Sequence, residues 1–236
     1  MRRCVPLVAL MLVALQTIAC SSAKQSARDE FIAALNSVAN LTANSAFAEG
    51  DSVRVVYDSA GEDDTWNGTV ATTVRGIDWL VEFEASEDQG DMYLATGSYG
   101  PLVYSCWAVR FPGEEWIPYW SAEMCEVHEE SEETGEFLAA FTGQLGAEGL
   151  LDYLNRDREV TIERDGKRRA AGIEGECYHI TGDDDTDYVA CISKDTGLLL
   201  FGDGTLDGEY ARAELLEYST EVSDDDLLPM FPLPEE

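Results

Sequence analysis

An α+β domain built mainly from antiparallel strands is predicted by three observations. Apolar and polar residues alternate with period two in many short segments of the 236-residue chain, from Val53 to Tyr218. Turns bearing Gly, Asp and Pro join these segments closely enough for a meander. Helical spacing appears only near the N-terminus and mid-chain. Forty-seven acidic against 15 basic residues give a formal charge of -32, which opposes contact with phosphate backbones and excludes nucleic acid as a partner. Hydrophobic content of 45% with 10% aromatic residues is too rich for a disordered acidic chain. The body therefore folds, with its excess acid in solvent, and a length of this order fits one sheet domain.

Taken in chain order, Arg2 and Arg3 precede an apolar run from Val5 to Leu15, the order of parts in a bacterial export signal. The run is shorter than the roughly 18 residues that span a bilayer. Ala19-Cys20 followed by polar Ser21-Ser22-Ala23-Lys24 is similar to a lipoprotein signal, with Thr17 where Leu is usual. Residues 1–19 then form a cleaved signal peptide, Cys20 is acylated, and residues 20–27 form a flexible tether to a single domain over 28–236. Losing Arg2 and Arg3 moves the charge from -32 to -34. An anionic membrane repels such a body, so attachment rests on acyl chains at about 0.8 kcal/mol per buried methylene.

From Arg28 to Leu41, Phe31, Ile32, Leu35, Val38 and Leu41 form one helical stripe that needs a sheet to lie on. Val53, Val55 and Tyr57 then share a strand face, as do Val70 and Val74, and as do Trp79, Val81, Phe83 and Ala85 with Glu82 and Glu84 opposite. Met92 to Ala95, Leu102 to Phe111 and Trp116 to Val127 continue the sheet. Phe137, Leu138, Phe141 and Leu145, then Leu150, Leu151 and Leu154, return to helical spacing, broken by Gly143, Gly146 and Gly149. Five strands follow: Val160 to Glu163, Cys177 to Thr181, Tyr188 to Ile192, Leu198 to Phe201 and Tyr210 to Tyr218. Pro229, Pro232 and Pro234 end the chain as an extended tail.

With Cys4 in the signal and Cys20 acylated, Cys106, Cys125, Cys177 and Cys191 remain, an even number that suits an oxidising exterior. Three pairings are open. Turn signals midway, Pro112-Gly113 and Gly182 to Asp185, favour Cys106 with Cys125 and Cys177 with Cys191, each a stapled hairpin. Zinc is the rival reading, opposed by the lack of any Cys-x-x-Cys pair and by only two histidines.

The C-terminal third carries a resemblance. Gly175-Glu176-Cys177-Tyr178-His179-Ile180, Val189-Ala190-Cys191-Ile192-Ser193, Asp195-Thr196-Gly197-Leu198-Leu199-Leu200 and Glu221-Val222-Ser223-Asp224-Asp225-Asp226, with the Pro-rich end, resemble bacterial lipoproteins of the LolA/RseB-like superfamily. The resemblance implies a strongly curved antiparallel sheet, an unclosed half-barrel, with helices packed on its concave face over an apolar cavity. It also implies binding of lipid, acyl chains or lipoproteins outside the cytoplasm, or sensing of them.

Other motifs yield to plainer readings. Asp203, Thr205, Asp207 and Glu214 stand near calcium-loop spacing, but Thr occupies the third position and a strand precedes the loop, so a hairpin turn is expected and no metal. Asp183, Asp184, Asp185 and Asp187 form a solvated turn. His128, among glutamates, and His179, alternating with Cys177, read as exposed and structural respectively. No nucleophile elbow is present, and with so many acids a carboxylate pair signals nothing, so no enzyme is expected.

Trp107, Phe111, Trp116, Tyr119 and Trp120 concentrate three of the five tryptophans in one segment, as core beneath helices or as a cavity mouth. The expected function is a membrane-anchored lipoprotein, monomeric and without cofactor, that binds an apolar lipid-like ligand. Its cavity would be lined by Val55, Tyr57, Val81, Phe83, Trp107, Trp116, Trp120, Phe137 and Phe141. The alternative is an envelope interaction or sensor module with a filled core. Only Lys24, Lys167 and Lys194 are lysines, which also fits a protein adapted to salt.

Overall fold

The computed structural model describes residues 26–35, 52–60, 67–87, 89–119, 122–128, 150, 154, 159–183, 185–206 and 208–234. One helix, α1 (26–35), precedes the strands β1 (Ser52–Ala60), β2 (Asn67–Arg75), β3 (Asp78–Glu87), β4 (Gly90–Tyr99) and β5 (Leu102–Arg110). The short β6 (Ile117–Pro118) and β7 (Cys125–His128) follow. Then come β8 (Val160–Ala170), β9 (Ile173–Gly182), β10 (Thr186–Ile192), β11 (Leu199–Leu206) and β12 (Glu209–Ser219). A 3-10 turn (Asp225–Leu227) leads into the C-terminal tail.

All twelve strands join one antiparallel sheet in the order β6-β5-β4-β3-β2-β1-β12-β11-β10-β9-β8, with β7 also on β5. Each half is a meander of near-neighbour pairings, as short turns require. The halves meet where β12 returns to pair β1, from Arg54 opposite Ser219 to Ala60 opposite Arg212.

Among the described residues the sheet is open, since no ladder joins β8 to the β6 and β7 edge. It is also strongly curved. The β8–β9 register slips between Arg164 and Lys167, beside Gly166 at φ 94, and β8 turns back over its neighbours. Arg168 Nη2 lies 2.8 Å from Glu214 Oε1 on β12, and its guanidinium sits 3.5 Å from the centre of the Phe201 ring on β11. Four flat strand spacings of about 4.8 Å would put β12 about 19 Å away.

The helix packs by its apolar stripe. Ala27, Phe31 and Leu35, four apart, are buried, and Phe31 meets Tyr178 with ring centroids 4.8 Å apart. Their cluster includes Val160, Ile162, Ile180, Tyr188, Ala190 and Ile192 of β8 to β10. Arg28 Nη1 donates to Val160 O, and Glu30 receives Arg164 and Lys194. Leu150 and Leu154, both helical, join the same cluster; the rest of the mid-chain helical segment lies outside the described residues.

Two strand expectations are corrected. Trp116 to Val127 is not one strand: Pro118 has no N–H for a ladder, and only β6 and β7 pair with β5. The strand expected over Leu198 to Phe201 meets only the start of β11, which begins at Leu199 and runs through Asp203 and Thr205 before the hairpin turn at Gly208.

Candidate functional site

Register assigns every strand residue to a face, because directly opposed residues lie on the same side. One row crosses six strands: Leu215, Tyr57, Val70, Phe83, Leu94 and Trp107. A second runs Val55, Thr72, Val81, Thr96 and Ser105. Four of the predicted lining residues on strands β1 and β3, namely Val55, Tyr57, Val81 and Phe83, therefore share one side with Trp107. The Ala190, Gly202, Ala213 and Ser59 row carries this face to the half that α1 covers.

This face lacks charge. On β1 to β5 it presents Val53, Val55, Tyr57, Ser59, Gly68, Val70, Thr72 and Val74, then Trp79, Val81, Phe83, Ala85, Met92, Leu94, Thr96 and Ser98, then Val103, Ser105, Trp107 and Val109. None of these is ionisable apart from the phenol of Tyr57, which burial pushes well above its ordinary value. Arg54, Asp58, Arg75, Asp78, Glu82, Glu84, Asp91 and Arg110 all fall on the opposite side, and Glu87 of this face stands exposed at the β3–β4 turn. Tyr57, Val70 and Val81 are buried, whereas Phe83, Leu94 and Trp107 are half-buried.

Among the described residues, two buried hydroxyls lack a hydrogen-bond partner, Thr72 Oγ1 and Tyr178 Oη, and both belong to this face. An unpaired buried hydroxyl typically costs about 1–3 kcal/mol. Ser105 Oγ and His128 Nε2 meet 2.7 Å apart at the β5–β7 end, where His128 is exposed.

Trp116 sits on the other side. It packs edge-on to Tyr93 and Phe231, at 6.5 and 5.7 Å between centroids, with the Arg110 guanidinium 4.7 Å over its ring. The tail here crosses β3 to β5 over Leu80, Tyr93, Tyr104, Cys106 and Ala108. Trp120, Phe137, Phe141 and Cys20 lie outside the described residues.

Both disulfides join Cys106 with Cys125 and Cys177 with Cys191, across paired strands. The Cys177–Cys191 bridge lies under a hollow of about 460 Å³ also lined by Lys167, Arg168, Val189, Phe201 and Asp203. Of the calcium-loop residues, Asp203 accepts the Tyr210 hydroxyl at 2.8 Å and Glu214 is held by Arg168; Asp207 lies outside the described residues. Among the described residues no group of three acidic, His or Cys side chains could hold a metal. His179 Nε2 is 2.6 Å from Asp187 Oδ1.

Glu82 was not singled out by sequence, since it alternates like any solvent-facing residue. Burial raises its carboxyl above the ordinary 4.5, although the Tyr93 hydroxyl, donating at 2.6 Å, pulls the other way. The folded state therefore holds a proton that the unfolded chain has released, and stability falls as pH rises from about 4.5 through the raised value. Glu82→Gln, which keeps an acceptor for Tyr93, is expected to gain stability over the parent as pH rises from 4 to 7 and to show a constant difference below 4. Urea denaturation at each pH checks this, and a difference independent of pH counts against it.

Comparison with family models finds no match, and no curated protein matches. Solved structures do. The MucA/MucB complex of Pseudomonas aeruginosa aligns over 85% of this chain and 61% of that chain, at 13% identity and TM-score 0.43. This chain thus spans about three-fifths of that protein. The Mycobacterium tuberculosis lipoprotein LppX aligns over 83% of this chain and 98% of its own, at 13% identity and TM-score 0.43. A DUF1329 family protein of Desulfovibrio piger aligns over 87% and 97%, at 12% identity and TM-score 0.26. Among the described residues no helix is long and apolar enough to cross a membrane.

Proposed function

We propose that this chain is an extracytoplasmic lipoprotein, anchored through acylated Cys20, that binds an apolar acyl-type ligand against the uncharged face of β1 to β5. One observation carries the reading. In a chain of charge -32, every charged residue within those strands, Glu87 at the turn excepted, has been placed on the opposite face. A fully buried aliphatic side chain contributes about 1.5–3 kcal/mol, so an acyl chain laid along such a surface gains affinity without desolvating an ion. The helix α1 packs on the other half of the face, and Phe83, Leu94 and Trp107 are half-buried on the half that bears the long row.

Leu94 is half-buried in the long row between Phe83 and Trp107, so a charge there spoils the surface without emptying the core. Leu94→Glu is expected to weaken a fluorescent acyl probe at least tenfold, about 1.4 kcal/mol, while near-ultraviolet circular dichroism stays unchanged. Glu84→Gln on the opposite face should leave probe affinity as it is. Equal affinity in the parent and Leu94→Glu would sink the proposal. Native mass spectrometry of protein purified from its host should reveal a co-purifying acyl compound.

A second reading, an envelope interaction module, draws on Phe111, Ile117, Tyr119 and Val127, which are exposed along the β5–β7 end of the sheet. Absence of any acyl compound, together with loss of a protein partner in Ile117→Asp, would favour it.

A further inference from the structure

The C-terminal tail is held unlike the rest of the sheet. Residues 228–234 form no strand, and they alternate: Leu227 and Pro229 are buried, Phe231 and Leu233 half-buried, while Leu228, Met230 and Pro232 are exposed. Two tyrosine hydroxyls grip its backbone. Tyr104 Oη donates to Leu227 O at 2.8 Å, and Tyr93 Oη accepts the Met230 N–H at 2.9 Å while donating to Glu82. Phe231 completes an edge-on triad with Tyr93 and Trp116, 5.2 Å from the former. At the entrance, Arg75 Nη2 meets Asp224 at 2.7 Å and Arg54 Nε meets Asp226 at 4.0 Å.

Aromatic hydroxyls on backbone groups, aromatic faces around an extended proline-bearing segment, and a flanking cation site are the parts of a peptide-reading groove. A segment needed only to fasten the end of the chain could do so by adding a ladder to a sheet edge. Here it runs across the face instead, gripped by side chains that select pattern: acid at two entrance positions, then Leu, Pro and Phe at every second place.

We infer that the groove over β3 to β5 is a recognition site for an extended acidic, proline- and phenylalanine-bearing segment of another protein, and that the chain's own tail occupies it as a competitor. The guest's acids meet Arg54 and Arg75, two cations in a strongly acidic molecule, which supplies the charge complementarity. The tail holds an intramolecular advantage on the order of millimolar effective concentration, so a guest succeeds only when it outbids that or when the tail is drawn away.

The test uses the full chain and a fluorescein-labelled peptide with the sequence from Val222 to Glu236. Asp224→Lys with Phe231→Ala loosens the resident tail while leaving the groove intact. This variant should bind the peptide at least tenfold more tightly than the parent, and adding Tyr93→Phe should remove the gain. A folded double variant that binds no better than the parent overturns the inference. Should the variant fail to fold, hydrogen exchange on the parent decides: tail amides from Leu227 to Leu233 that open separately from β3 to β5 support a displaceable tail. Tail amides that exchange only with the whole sheet overturn it. Concentration-dependent dimers that the peptide dissolves would overturn the assignment to a different protein in favour of a second copy.

Discussion

Cys177→Ala with Cys191→Ala is expected to lower stability by about 3 kcal/mol, the chain-entropy value for closing a loop of this length. The bridge joins positions 14 apart in sequence, and both sulfurs are buried among Tyr57, Leu200 and Leu215. The loss therefore has two parts: a freer unfolded chain and an emptied pocket beneath the sheet. Cys106–Cys125 closes a loop of 19 under the tail and should cost a similar amount when removed. The two lie at opposite ends of the strand order, so their effects should nearly add. Urea denaturation of the two pair variants and the quadruple variant checks this. A change below 1 kcal/mol for either pair would mean that the staple constrains little that the ladders do not.

Gly204→Ala is the second large effect. Gly204 lies within β11 at φ 128, where side chains are rarely tolerated, and an added Cβ would stand 2.1 Å from the backbone oxygen of Asp187. All the near atoms are backbone of Asp187 and Tyr188 on β10, so no rotamer offers an escape. Strained φ and overpacking each cost about 1–3 kcal/mol, so a loss of about 3 kcal/mol or more is expected. Gly208→Ala makes the control: its φ is 81, but nothing lies within 4 Å of the added atom, so only the conformational part remains. Comparable melting temperatures for the two variants would refute the steric account. Both glycines belong to the segment whose spacing resembles a calcium loop. The structure explains the first of them by a backbone oxygen on β10.

Alternation was legible where strands are paired on both sides and one face is apolar. Trp79, Val81 and Phe83 in β3 show it plainly, and the register confirms their common face. The second half of β8, from Asp165 to Arg169, was not legible as strand. Its ladder is with β9 alone, its charges except Arg168 stay exposed, and no apolar period survives. Helix α1 was readable from Phe31 and Leu35 because both point into the core. The groove beneath the tail had no local signal at all. Tyr93 lies 137 positions from Met230 and Tyr104 lies 123 from Leu227, so only the folded sheet brings them together. The burial of Glu82 was hidden for the same reason: its cover arrives from the far end of the chain.

The open rim at β8 has a bearing on how copies of this protein behave when crowded. A lone outermost ribbon with free amide and carbonyl groups is ordinarily a template on which identical molecules stack into fibres. Arg164, Lys167 and Arg169 stand exposed along this one, and Gly166 buckles its line. Glu163 and Asp165 are exposed on the same strand, and Arg164 and Lys167 hold Glu30 and Glu174, so two molecules approaching rim to rim would have to bury charged side chains across a bent seam. Crowding is thus kept from becoming coalescence.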